Sequence, residues 1–167
     1  MPLIHVYFYQ PPSDDPHWIN HLVRSYDAPY SHCDVQFEDS MASSVYQNEP
    51  VYFRARRFRK PGYVRKTIPV SQYHYDKAYK LCRTRAEDKM GFDAVGMYSL
   101  PLPSALLADR ANKTFCSKHV AEVLQEAGVR AVAHLSSREL TPSALYRALE
   151  GASIFHVDPT AVAGLRI

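Results

Sequence analysis

Residues 2–9 (PLIHVYFY) are rich in β-branched and aromatic side chains, which predicts a strand ended by Pro11-Pro12. Asp14-Asp15-Pro16 then offers N-cap residues followed by proline at a first helical position. Trp18, Leu22, Val23 and Tyr26 recur at helical spacing, so a helix is expected to about Tyr26, where Ala28-Pro29 breaks it. Residues 30–37 (YSHCDVQF) alternate, with Cys33, Val35 and Phe37 on one face and His32, Asp34 and Gln36 on the other. A turn at Glu38-Asp39-Ser40-Met41 leads into two further expected strands, 42–47 and 50–58. Pro61-Gly62 interrupts, and Tyr63–Val70 resumes extended structure.

Helical patterns dominate the second half. Ser71 can cap a helix over roughly 72–89, closed by Gly91. An apolar segment, FDAVGMYSL, precedes a proline-containing loop around 101–113. Asn112 or Thr114 can cap a helix from Cys116 to Ala127, with Gly128 at its end. Thr141-Pro142 opens a last helix to about Leu149, and 154–157 reads as a terminal strand. Strands first and helices interleaved late predict an α+β fold, and 167 residues fit one domain over 1–167.

Composition narrows the class. At 46% hydrophobic and 22% charged the chain can build a core. No apolar run approaches the ~18–20 residues of a membrane span. The N-terminus lacks the basic and long apolar regions of a secretory signal. Cys33, Cys82 and Cys116 are odd in number and widely spaced, so free thiols in a reducing compartment, the cytoplasm, are expected rather than a disulfide framework.

Cys116 carries the most chemical information. It stands in the first turn of its predicted helix, where unpaired N–H groups and the positive end of the dipole favour a thiolate. Val120, Val123, Leu124 and Ala127 put it on the core-facing side; Lys118, Glu122 and Gln125 should face solvent, and His119 should lie at the surface or rim. A nucleophilic thiol there needs a base, and His32 sits in a strand that could meet the helix. Taken alone these residues favour a packed structural thiol, because free cysteine is commonly buried. Cys33 and Cys82 read as packed thiols too. His17 and His21 have ligand spacing but no matching pair, so neither a metal nor another cofactor is expected.

Several segments together resemble a known family. HWINHLVRSYDAPYSHCDVQF resembles the opening of permuted NlpC-type papain-fold proteins, which include bacterial, poxviral and lecithin:retinol-acyltransferase-like members: a short helix, a loop ending Ser-His, then a strand. FDAVGMYSL followed by KTFCSKHVAEVLQEAG, and the closing LTPSALYRAL, resemble later parts of the same pattern in the same order. The resemblance spans most of residues 1–150. It implies a permuted papain-like fold, an antiparallel sheet packed against a Cys-bearing helix, with Cys116 as nucleophile and His32 as base. It also implies attack on an amide or ester of a peptide or lipid acyl substrate through a thioester, ending in hydrolysis or acyl transfer.

The third member of that site is open. If Phe37 pairs with Ala42, the register sets Gln36 against Ser43, Asp34 against Val45 and His32 against Gln47, which makes Gln47 the candidate to orient the imidazole. A one-residue slip brings Tyr46 or Asn48 instead, and Ser44 is a further candidate.

Charge adds a second theme. The net charge is +3, yet Arg54, Arg56, Arg57, Arg59, Lys60, Arg65 and Lys66 lie within residues 54–66 with no acid among them, so the rest of the chain is net negative. Arg56, Arg57, Arg59 and Lys60 are the candidate anion-binding residues, for an acidic substrate, nucleic acid or an anionic membrane. The alternative function is therefore a module without turnover that binds an anionic partner through this run.

Overall fold

A computed structural model describes residues 1–100, 112–150 and the two-residue strand 155–156. Its centre is strand β1 (Leu3–Tyr9), which pairs antiparallel on both sides, with β2 (His32–Gln36) and β5 (Tyr63–Pro69). β3 (Met41–Ser44) and β4 (Tyr52–Ala55) continue from β2, giving an antiparallel order β4-β3-β2-β1-β5; β8 (Phe155–His156) pairs along β5. Among the described residues five α-helices accompany the sheet: α1 (Trp18–Tyr26), α2 (Gln72–Glu87), α3 (Ala94–Tyr98), α4 (Cys116–Glu126) and α5 (Pro142–Glu150). The architecture is mixed α+β. A short parallel pair, β6 (Gly91–Phe92) with β7 (Lys113–Thr114), leads into α4 and was not expected from the sequence.

The two faces of the sheet do different things. Ile4, Val6 and Phe8 of β1 and Cys33 and Val35 of β2, with Phe37 beyond it, join Val120, Ala121, Val123 and Leu124 of α4 in one buried core. Their alternation follows from the strand period of two. His32 and Asp34 therefore project to the opposite face, beside Tyr7 and Tyr9 across the β1 ladder. There Tyr7 stacks on Phe58 at 4.0 Å and Tyr63 packs edge-on.

Several boundaries differ from the sequence expectation. α1 is capped by His17, not by an aspartate, because Asp15 turns its carboxylate inward to accept the His17 N–H and the Tyr9 hydroxyl. Of the expected apolar stripe of α1 only Val23 is buried, and Trp18 is 58% exposed. The N-cap of α4 is Phe115, not Asn112 or Thr114. β3 and β4 are shorter than expected. The loop around 101–113 falls mostly outside the described residues, as do 154 and 157.

The β2–β3 register is shifted by one residue. The chain turns over Glu38-Asp39-Ser40 alone, with Ser40 in the left-handed region at φ 68° and Phe37 N–H bonded to the Met41 carbonyl. Such a three-residue loop with its last residue left-handed is a standard hairpin closure. Gln36 thus pairs with Ala42 and Val35 with Ser43. Continuing that register puts Tyr46, not Gln47, level with His32.

On α4, Val120, Val123 and Leu124 are fully buried as expected, but the opposite side is not free. Lys118 is buried, Glu122 and Gln125 are partly covered, and His119 is wholly inaccessible. α2 packs on that side: Arg85 donates to His119 Nδ1 and pairs with Glu122 at 2.7 Å. Gln125 donates to the carbonyls of Val132 and Leu135, where two 3₁₀ turns (Arg130–Val132 and Ser137–Glu139) close over the helix. A helix covered on both sides cannot be read as amphipathic with one wet face.

Candidate active site

Cys116 is the first residue of α4, and its N-cap Phe115 offers no side chain to the free N–H groups of the first turn. Those donors are left for a negative charge at the helix start. The sulfur lies beside β2, where the Cys33 thiol and backbone and the His32 imidazole all act on it, and Cys116 and His32 line one cavity. The Cys33 contact lowers the Cys116 pKa most; burial opposes it, and the His32 charge adds to the lowering, leaving Cys116 well below an ordinary thiol. Burial drives Cys33 the other way, so it remains a thiol and a donor. Burial also works against an imidazolium at His32, but the charges of Asp34 and Cys116 outweigh it and hold His32 well above its ordinary value. The geometry favours a thiolate–imidazolium pair.

Asp34 faces the His32 imidazole from the same strand. Its Oδ2 lies 3.4 Å from His32 Nε2, an ion-pair contact, and among the described residues neither atom has a hydrogen-bond partner. Tyr46 stacks on the His32 ring, centroids 4.5 Å apart and planes 15° from parallel. The other oxygen, Asp34 Oδ1, accepts from the Tyr52 hydroxyl and, at 3.0 Å, from Arg56 Nη1. A cavity of about 520 Å³ opens over the pair. Ile19, Val23, Phe92 and Met97 give it apolar walls, and Asp15, Glu49 and Lys60 contribute charge.

The structure thus brings Cys116 and His32 together, and Asp34 rather than Gln47 stands beside the imidazole. Gln47 lines the cavity, yet its amide donates to the Tyr98 hydroxyl at 3.1 Å rather than facing His32. The sequence carries a signal for Asp34: two residues along a strand is the same face. Tyr46 follows from the register.

The basic run divides. Arg56 faces the cavity with its donors already committed to Asp34 and to tyrosine hydroxyls, which removes it from the free anion-binding set. Lys66 is buried, its ammonium 4.2 Å over the Tyr146 ring. Arg57, Arg59 and Lys60 are exposed, with Lys60 lying over the Tyr9 ring. Cys82 is buried, and burial pushes its thiol up to about 12. His21 bonds to the Asp15 carbonyl, and among the described residues no group of three His, Cys, Asp or Glu could hold a metal. No helix among them is long and apolar enough to cross a membrane. Compared with known proteins, the chain matches no family model, no curated protein and no solved structure, so the site has to be read from its own geometry.

Proposed function

We propose that the protein is a cysteine-dependent hydrolase or acyltransferase of the permuted papain-like type. The observation that carries this is the buried Cys116 thiol at a helix start, lining one cavity with a His32 ring that is itself backed by Asp34. The Cys116 thiolate attacks the carbonyl carbon of an ester or amide, and the backbone N–H groups at the start of α4 receive the oxyanion. The His32 imidazolium gives its proton to the departing alcohol or amine, leaving a thioester on Cys116. His32, now neutral, takes a proton from water or another acceptor as that nucleophile attacks the thioester and the thiolate leaves. Asp34 keeps the ring aligned and balances its charge through both steps. Ile19, Val23, Phe92 and Met97 suit an apolar group on the acyl side. Three free thiols suit a reducing compartment such as the cytoplasm.

The test is labelling with iodoacetamide followed by peptide mass spectrometry. Cys116 should react far faster than Cys33 or Cys82 at neutral pH, and Cys116→Ala should abolish turnover of activated ester and amide substrates with the fold intact. Equal labelling of all three thiols removes the proposal. A second reading rests on the exposed Arg57, Arg59 and Lys60: a surface for an anionic partner, with or without turnover.

A further inference from the structure

Arg56 stands apart from the basic run in which it occurs. Its neighbours Arg54, Arg57 and Arg59 are exposed, whereas Arg56 turns its guanidinium under the sheet face that carries His32. Nη1 donates to Asp34 Oδ1 at 3.0 Å and to the Tyr52 hydroxyl at 2.7 Å, and also meets the Tyr46 hydroxyl. Nη2 donates to the Tyr63 hydroxyl at 3.0 Å. The rings of Tyr46 and Phe58 lie 5.4 and 4.7 Å from the cation. Its backbone is fixed as well: the N–H bonds to the Ser40 carbonyl, and the Gln36 amide donates to its carbonyl at 2.7 Å. A residue that only captures passing anions needs none of this anchoring.

We propose that Arg56 is a positioning residue of the Cys116–His32 centre, fixing Asp34 by its Oδ1 so that Oδ2 faces His32, and setting the charge balance of the buried cluster. The proposal rests on the reading of Cys116 and His32 as nucleophile and base. The geometry assigns each oxygen of Asp34 a separate duty. With Tyr52 and Arg56 on Oδ1, the carboxylate cannot rotate without breaking two hydrogen bonds, and Oδ2 is left with His32 alone. Tyr46 couples the same guanidinium to the imidazole by stacking on the ring while its hydroxyl meets Arg56.

The charge consequence has a definite sign. His32 faces Asp34 on its own strand, Tyr46 beyond β3 and Cys116 on α4; Asp34 faces Tyr52 on β4 and Arg56; Arg56 also faces Tyr63 on β5. Asp15, Glu49 and Lys60 line the same cavity, and the Lys60 ammonium sits over Tyr9. Removing the fixed positive charge of Arg56 favours protonation of the groups around it. The Cys116 thiolate then forms only at higher pH.

The experiment follows the rate of iodoacetamide labelling at Cys116 against pH in the full chain, with Cys33 and Cys82 as internal buried references. Arg56→Gln and Arg56→Met remove the charge, and Arg56→Lys keeps it while losing the planar fork. The acid limb of the profile should move up by roughly half to one pH unit in the Gln and Met variants. It should stay close to wild type in Arg56→Lys. A limb unmoved in the neutral variants, or moved as far in Arg56→Lys as in Arg56→Gln, overturns the assignment. If circular dichroism shows that neither neutral variant folds, the Lys variant decides: a wild-type limb upholds the charge role and a displaced limb overturns it. Wild-type Cys116 labelling no faster than Cys33 and Cys82 is a different failure, which removes the nucleophile reading and this assignment with it. Preferential labelling with unmoved limbs removes the assignment alone.

Discussion

Asp34 Oδ2 faces His32 Nε2 across 3.4 Å, and the two residues belong to one strand, separated only by Cys33. That spacing makes β2 the backbone of the whole centre. His32 and Asp34 point to one face, while Cys33 between them points to the other and touches Cys116. One five-residue strand therefore presents an imidazole, a carboxylate facing it and a thiol beside the Cys116 sulfur.

Asp34→Asn keeps the shape and removes the charge. Without it His32 loses its largest favourable influence, and burial, which opposes the imidazolium, is less well opposed. The basic limb of the Cys116 labelling profile should fall to lower pH, and turnover at neutral pH should drop about tenfold or more, the scale of one pKa unit. A variant with unchanged limbs would remove Asp34 from the site.

Cys33 can be tested by a pair of substitutions. Its thiol, beside the sulfur, lowers the Cys116 pKa more than any other neighbouring group. Cys33→Ala should move the acid limb of Cys116 labelling upward and slow labelling at mildly acid pH, whereas Cys33→Ser, which retains a donor, should shift it less. Thermal unfolding of both variants separates this effect from loss of packing.

His119 supplies a pH dependence of stability. Arg85 can only donate, so Nδ1 accepts and Nε2–H donates to Ser43 Oγ at 2.9 Å. Burial, then the Arg85 charge, lowers its pKa from 6.5 to about 3. Between those values the unfolded chain binds a proton that the folded chain refuses, so stability falls as pH drops from 6.5 toward 3. The His32 effect lies in another window, because a raised pKa contributes stability below 6.5 that is lost as pH rises through the folded value. Urea unfolding at pH 7 and pH 5 should show a loss in the wild type on the order of 1–2 kcal/mol, smaller in His119→Gln.

Arg57 and Arg59 test the charge of the run separately from the site. Both are exposed, unlike Arg56. The double change Arg57→Gln/Arg59→Gln should weaken retention on a phosphate-bearing polyanion resin and flatten its salt dependence. Retention with an unaltered salt slope would remove the second reading.

Much of the fold was written locally. Alternation in 30–37 separates Cys33, Val35 and Phe37 from His32, Asp34 and Gln36 by the strand period alone, and the apolar positions 120, 123 and 124 mark the core side of α4. Those patterns depend only on neighbours along the chain, so the sequence itself determined them. What α2 does to the other side of α4 is not local: Arg85 lies far from His119 and Glu122 in sequence, and only packing makes buried residues of a side that reads as polar. The β2–β3 register likewise turned on one left-handed Ser40, a backbone choice that serine permits but does not dictate. That single residue put Tyr46 rather than Gln47 beside His32. Arg56 makes the same point for charge: in sequence it is one cation in a basic run, and only the tertiary structure, by folding 56–63 over the tyrosine face of the sheet, committed it to Asp34.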